Sequence, residues 1–564
     1  MMRLRSAAAL AAAVLITLAG CSKAGGGSSS SGLVDESSGT QPAAAGKQNS
    51  WTRPGVLRFT SGEDIATLNP ALNTQGVMLH LSELTMAWLI RWDHSNNAIP
   101  ELLTVVPSQK NGGVSKDGLT ITYHLRKGVK WSDGVPFDAD DVIFSFKAVL
   151  NKDNNITSRT GWDRITKMDE PDKYTVVLHL SKPYSPFIDT FFSTAGSNPA
   201  VMPKHILGNL PNINTAPYNS LPVGIGPFKY SKWERGQRVV MVANPNYFRG
   251  MPKLKEIDYE IIPDQNTVLT EIQAHQLDLW YPTPGSYFKT KMQGMNGFAF
   301  IRQPGYLFNH IDFNTKRPAM QDVAVRRALR LATDRTALIN KVGHGIGILQ
   351  EQPAPNVAPY YDRSIQQVPF DTAQANKLLD DAGWVRGADG VRSKNGVKLA
   401  LDFVTNSGNP TGDQIIEMLR DMWKNIGVSI NVRHYDSARL FDSYQNHGTL
   451  FSGNYDVAFF AWGVGASGDF SALYACDQQP PDGQNILHWC NPRADKAMHD
   501  LYNHYDQADR NKDDAVVFEE LNKDVPTIVE NGREDIFFFN SDLRNFHPNA
   551  VTPFDDFMNV DLPG

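Results

Sequence analysis

Hydrophobic and polar positions follow several distinct rhythms along the chain. Ala7 to Ala19 is a continuous apolar stretch behind Arg3 and Arg5, too short to span a bilayer comfortably and then stop. Leu119 to Leu125 alternates in polarity, which predicts a half-buried strand; Arg126-Lys127-Gly128 turns the chain and Val129-Lys130-Trp131 returns. Asp133-Gly134 signals a second turn, and Asp138 is placed to cap a helix reading ADDVIFSFKAVL, with Asp141 in its acidic first turn. In AVRRALRLATDRTALI, Val325, Ala328, Leu329 and Ala332 share one helix face. Asp371 caps TAQANKLLDDA, and Gly383 stops it. Leu399 to Val404 reads as a strand, Ile415, Leu419, Met422 and Ile426 as a helix ended by Gly427, then Val428, Ile430 and Val432 as a strand, and Asp456 to Trp462 as another. Strand, helix and strand at this spacing predict crossover units and a largely parallel sheet.

Composition places the molecule. Residues 22–50 are rich in Ser, Gly and Ala with few large apolar side chains, so they cannot pack a core and read as a tether. At roughly 5–6 Å times the square root of its length, the tether holds the body about 30 Å from its anchor. Residues 51–564 exceed what one core organises, which predicts two or three domains. The net charge of −6 is small for this length, and no basic stripe with interleaved aromatics points to nucleic acid. Of three cysteines, Cys21 follows Leu18-Ala19-Gly20, leaving Cys476 and Cys490 to close a short loop as a disulfide in an oxidising compartment. A metal site built on that pair and His488 would lack a fourth ligand. Leu-Ala-Gly-Cys resembles a bacterial lipobox, whose Cys becomes lipidated. That implies a signal peptide over 1–20, an anchor at Cys21 and an exported body held at a membrane surface.

Phe459 to Phe470 reads FFAWGVGASGDF, and Gly463, Gly465 and Gly468 spell GxGxxG. A dinucleotide turn needs a helix directly after its glycines, so that the helix N-terminus faces a pyrophosphate. Here DFSALYACDQQPPDG follows, Pro480-Pro481 cuts any helix short, and Asp482-Gly483 marks a loop where a second strand should end. The loop is therefore either plain connection or a ligand-lining segment. No GxSxG, HExxH or zinc spacing supports a hydrolase, no Walker-type GxxxxGKS/T supports an ATPase, and no cofactor is expected. Asp140-Asp141 and Asp380-Asp381 read most simply as solvated helix positions.

The block SKDGLTITYHLRKGVKWSDGVPFDADDVIFSF (115–146) resembles the large solute-binding proteins of peptide and nickel ABC importers. So do DIATLNPAL, VGIGPFKYSKW, ANPNYFRG, DFNTKRPAMQDVAVRRALRLATDR and NYDVAFFAW, in the family's order. The resemblance implies an α/β, two-lobed periplasmic-binding-protein-like fold (type II, large cluster C). It divides the chain into lobe I at 51–94, 181–313 and 530–564, a small extra domain at 95–180, and lobe II at 314–529. It implies a monomeric, non-enzymatic receptor that closes over an oligopeptide-like or other organic solute and delivers it to a membrane permease driven by an ATPase. The alternative is a sensor or assembly factor of the same fold.

By position in the family, Trp462 faces the cleft, with Gly463 behind it letting main chain approach a ligand. Trp280, Tyr281, Tyr306, Gln75 and Phe538 are further cleft candidates. The family's peptide binders commonly carry an Asp shortly after that Trp, which pairs with the peptide ammonium, and some carry an Arg before it. Here residues 463–467 hold no carboxylate, Asp469 matches a later family position, and the Arg position is Phe459. An unpaired buried ammonium is costly, so an uncharged, aromatic, sugar-bearing or modified-peptide ligand fits at least as well. No compact His/Cys cluster among the 14 His points to a free-ion nickel site, and no metal is expected.

Overall fold

The computed structural model describes residues 48–563 apart from 74, 94–96, 157, 158, 160, 196, 197, 436, 442, 443, 445, 446 and 482. The expected signal peptide, Cys21, nearly all of the expected tether and Asp482 thus lie outside the described residues. Ten strands form one sheet in the order Ser429–Tyr435, Ala400–Asn406, Val457–Gly463, Phe298–Phe313, Thr527–Asn540, Leu279–Trp280, Val56–Thr60, Glu256–Glu260, Arg238–Ala243, Phe228–Glu234.

Two strands at the middle are long enough to serve both lobes. Phe298–Phe313 spans 16 residues and Thr527–Asn540 spans 14, and they pair antiparallel. Their ladder breaks between Pro304 and Phe308. Pro304 has no N–H to give, and Gly305 leaves room for Asp535, whose Oδ2 would lie 2.7 Å from a Cβ there. On one side of this break sits a core that runs from Leu57 to Ile261 and from Phe537 to Leu562, with a satellite around Val268, Phe288 and Phe300. On the other side two cores cover the opposite faces of the second lobe: Ile311, Leu329, Leu419 and Trp423 on one face, Tyr360, Phe460, Phe470 and Phe518 on the other.

The sheet is mixed, not largely parallel. Ala400–Asn406 is parallel to both its neighbours, as the strand–helix–strand spacing predicts. The crossing strands pair antiparallel with each other and with Val457–Gly463 and Leu279–Trp280, because one leaves the first lobe and the other returns to it.

Local expectations hold where capping chemistry is explicit. The Ala139–Leu150 helix has a full capping box between Asp138 and Asp141. Its apolar face, Val142, Phe146 and Val149, packs in the same core as Ile121, Tyr123, Val176 and Leu178 of an antiparallel three-stranded sheet. Val129–Trp131 returns as a single bridge from Lys130 to Pro136, not as a strand. The 323–341 segment is two helices, Val323–Leu331 and Arg335–Lys341, and Val325, Ala328, Leu329 and Ala332 are all fully buried. The break falls at Thr333 because Asp334 caps the second helix through the Ala337 amide. Among the described residues no helix is long and apolar enough to cross a membrane.

Candidate functional site

Val457–Gly463 runs out of the second-lobe core toward the junction. Its first four residues are buried, Ala461 and Trp462 are half-buried, and Gly463 is exposed. Trp462 pairs in register with Phe308 on the crossing strand, and its ring lies 5.5 Å from Phe460, 6.5 Å from Phe441 and 6.4 Å from His310. Leu307, opposite Gly463, is 39 % exposed, and Phe441 is 37 % exposed. Tyr306, two residues before Phe308 on the crossing strand, packs against the same core as Trp462 and accepts the Val464 amide with its carbonyl at 3.2 Å. Among the described residues its hydroxyl is buried with no partner, and burial pushes the phenol pKa up. His310 gives Nδ1 to an interaction with Asp312 at 2.7 Å, while its Nε2 has no partner. The result is an aromatic, half-open wall with bare main chain at one end and unsatisfied polar atoms beneath it. Such a wall can stack on a planar or apolar group and hydrogen-bond an extended one.

Trp462, Gly463 and Tyr306 come together on two paired strands, and the other four candidates do not join them. Trp280 (2 % exposed) and Phe538 (1 % exposed) pair in register and face the satellite core with Phe288, Phe298 and Phe300. Tyr281 lies on the opposite face, stacked on Phe537 at 3.9 Å with His80 and Phe554 around it. Both faces of the sheet are covered at this point, so these aromatics fill the core. Gln75 spends its amide on its own loop: Oε1 accepts from Ala66 N and Asn73 Nδ2, and Nε2 donates to the Asp64 carbonyl.

Buried carboxylates gather along the crossing strands and the junction, where the sequence carries no motif for them. Glu530 is fully buried, Asn531 donates to its Oε2 at 2.7 Å, and Oε1 has no partner. Loss of hydration raises its pKa to about 8, against the nearby charge of Arg335. Asp535 is raised by burial to about 6. Arg302 clamps Glu534 through Nε at 2.8 Å and Nη2 at 2.5 Å, and Glu534 also accepts the Gly347 amide. The junction is closed here: Trp92, Ala195 and Val551 of the first lobe form one cluster with Ala466 of the second.

Cys476 and Cys490 are joined, with Cα atoms 4.7 Å apart. Beside them Asp477, Asp495 and His499 bring ligand-type atoms within 4.8 Å of one another at the surface, His499 lying 3.4 Å from Asp477 and 3.7 Å from Asp495. A surface cavity of about 460 Å³ lies between Asp362, Ser364, Ala515 and Glu519, and none of the wall residues lines it.

The sequence profile of the bacterial extracellular solute-binding proteins, family 5 middle, matches residues 99–484. The oligopeptide-binding protein AppA of Bacillus subtilis is 25 % identical over 498 residues, covering 87 % of this chain and 89 % of its own. Its structure in complex with a nonapeptide superposes with a TM-score of 0.76 over 90 % of this chain and 99 % of that one, at 23 % identity. NikZ of Campylobacter jejuni in complex with Ni(L-His) superposes with a TM-score of 0.75 over 90 % and 100 %, at 24 % identity.

Proposed function

Because the chain belongs to the bacterial extracellular solute-binding proteins of family 5, whose members bind solutes rather than transform them, we propose that it captures an oligopeptide-like or other organic solute between its lobes and hands it to an ABC permease and ATPase. The observation that carries this reading is the wall at the lobe junction: Trp462 half-buried, Gly463 bare, and the Tyr306 hydroxyl buried without a partner among the described residues. An extended ligand entering there can add its main chain beside Gly463, stack on Trp462 and satisfy Tyr306. AppA is an oligopeptide-binding protein, solved with a nonapeptide, while NikZ holds a nickel–histidine chelate. For this chain the aromatic wall favours the organic ligand, with an aromatic, sugar-bearing or peptide-like body. Lobe II at 314–529, as the resemblance divides the chain, is supported by the second-lobe cores around Leu329, Leu419, Tyr360 and Phe518, though Ile311 and Phe313 before it pack in the same core. In this reading Cys21 carries lipid and residues 22–50 tether the body outside the cytoplasmic membrane.

Native mass spectrometry of protein purified without refolding tests the reading, since tight cleft ligands survive that preparation. A series of bound peptides or one discrete organic mass is expected. A bare protein mass, together with unchanged solute uptake after deletion of the chain, would overturn it.

A further inference from the structure

The glycines behind Trp462 have so far served only at Gly463. Gly465 and Gly468 sit deeper, in a loop held from two sides. From its own lobe, Tyr360 donates its hydroxyl to the Gly465 carbonyl at 2.7 Å. Gly468 has φ +85°, and a Cβ there would lie 2.9 Å from the Tyr360 ring and 2.6 Å from Asp514 Oδ2. From the other lobe comes Asp189, in the Phe187–Thr190 turn whose Phe187 belongs to the first-lobe core. The Ser467 amide donates to Asp189 Oδ2 at 2.6 Å, and a Cβ on Gly465 would stand 3.1 Å from that same oxygen. Asp189 is 9 % exposed, and its Oδ1 is buried without a partner among the described residues.

Neighbouring contacts extend this meeting into a seam. The Ser185 amide donates to the Tyr502 carbonyl at 2.9 Å and Ser185 Oγ to the Leu501 carbonyl at 2.7 Å. The Tyr505 hydroxyl accepts the Tyr184 amide and donates to the Gly118 carbonyl, both at 3.2 Å. Arg164 lies over the rings of Tyr184 and Tyr502.

We infer that the Gly463–Gly468 loop is the seat of an interlobe clasp, in which Asp189 of the first lobe docks on the Ser467 amide of the second and holds the closed state. Gly465 is glycine because a carboxylate from the opposite lobe must reach the main chain there. Asp189 follows Phe187 of the first-lobe core and Ser467 precedes Phe470 of a second-lobe core, so this hydrogen bond exists only while the lobes meet. The groups facing Asp189 are Arg510, Asp469 and Tyr360 of the second lobe, with Asp514 beyond Arg510 and Tyr306 on the crossing strand. One guanidinium among three carboxylates makes the seat weakly compensated, which suits a contact that must also release. The inference goes beyond the solute reading and holds for any ligand the lobes enclose.

Hydrogen exchange of the full chain as purified tests it, read by mass spectrometry on segments 463–470 and 184–192. Asp189→Ala should speed exchange in 463–470 on the order of tenfold, the loss of one buried hydrogen bond. Gly465→Val, placed in the second lobe, should speed exchange across the seam in 184–192. Segments 120–125 and 457–461, inside the lobes, should stay protected in both variants, which reports folded lobes. Wild-type protein whose 463–470 segment exchanges as an open loop would overturn the inference. So would wild-type protection in Asp189→Ala, or an unchanged 184–192 segment in Gly465→Val.

Discussion

Trp462 is the residue on which the ligand reading turns, and its half-burial decides how it behaves. A core Trp would lose packing when truncated, whereas one with a free face loses ligand contact first. Trp462→Ala should weaken binding of the recovered ligand by about 1–3 kcal/mol, by analogy with the stacking of a planar group, with little change in melting temperature. Calorimetric titration beside thermal unfolding checks both halves. Glu530 makes a different prediction. Its folded-state pKa is raised from 4.5 to about 8, so its protonated form belongs to the folded state. The stability it contributes is complete below about pH 4.5 and is lost as pH rises through about 8. Glu530→Gln, which stays neutral, should flatten the fall of melting temperature between about pH 4.5 and 8. A fall as steep as in wild type would show that other groups govern it.

At the scale of elements, local chemistry was readable wherever the deciding groups are neighbours in sequence. Asp138 and Asp141 cap one helix, Asp371 caps another, and Gly427 takes φ +81° at the end of a third. The break at Thr333 was not readable, because three interactions make it together. Thr333 Oγ1 donates to the Leu329 carbonyl at 2.8 Å, accepts Trp423 Nε1 at 3.0 Å from a distant helix, and leaves Asp334 free to cap. The disulfide lies between these cases: the pairing of Cys476 and Cys490 follows from counting cysteines, and the structure brings them together. Replacing both by Ser should cost about 3 kcal/mol, the closure entropy of a loop of this size. Denaturant unfolding measures that loss, and an intact mass after alkylation should show no free thiol at either position in the exported protein.

For the whole molecule the consequence is a closure that responds to pH. Docking buries Asp189 and raises its pKa from 3.8 to about 6, chiefly by loss of hydration. The closed state therefore holds the proton more tightly than an open state in which the carboxyl is hydrated. Closure is favoured most below about pH 4, and that advantage is lost as pH rises through about 6. Ligand-free protein should become more compact by small-angle scattering as pH falls from about 7 to 5, and Asp189→Asn should reduce the change. Equal pH dependence in the two proteins would assign the effect to Asp535 or Asp469, which burial also raises.

The sequence by itself determined the kinds of elements, several of their caps, the cysteine pairing, the family and the strand that ends in Trp462. These depend on neighbours within a few turns, or on blocks whose order along the chain is itself the signal. Tertiary structure alone decided that the two lobes share one mixed sheet, and that Trp280 and Phe538 fill a core instead of a cleft. It alone brought Asp189 to a glycine loop 278 residues away. Hydropathy records that a residue will be buried but not which surface buries it, and a carboxylate in SPFIDTFF shows no sign of the amide it will meet. The GxGxxG spacing was visible from the start; what it cradles could be read only after the lobes had closed on it.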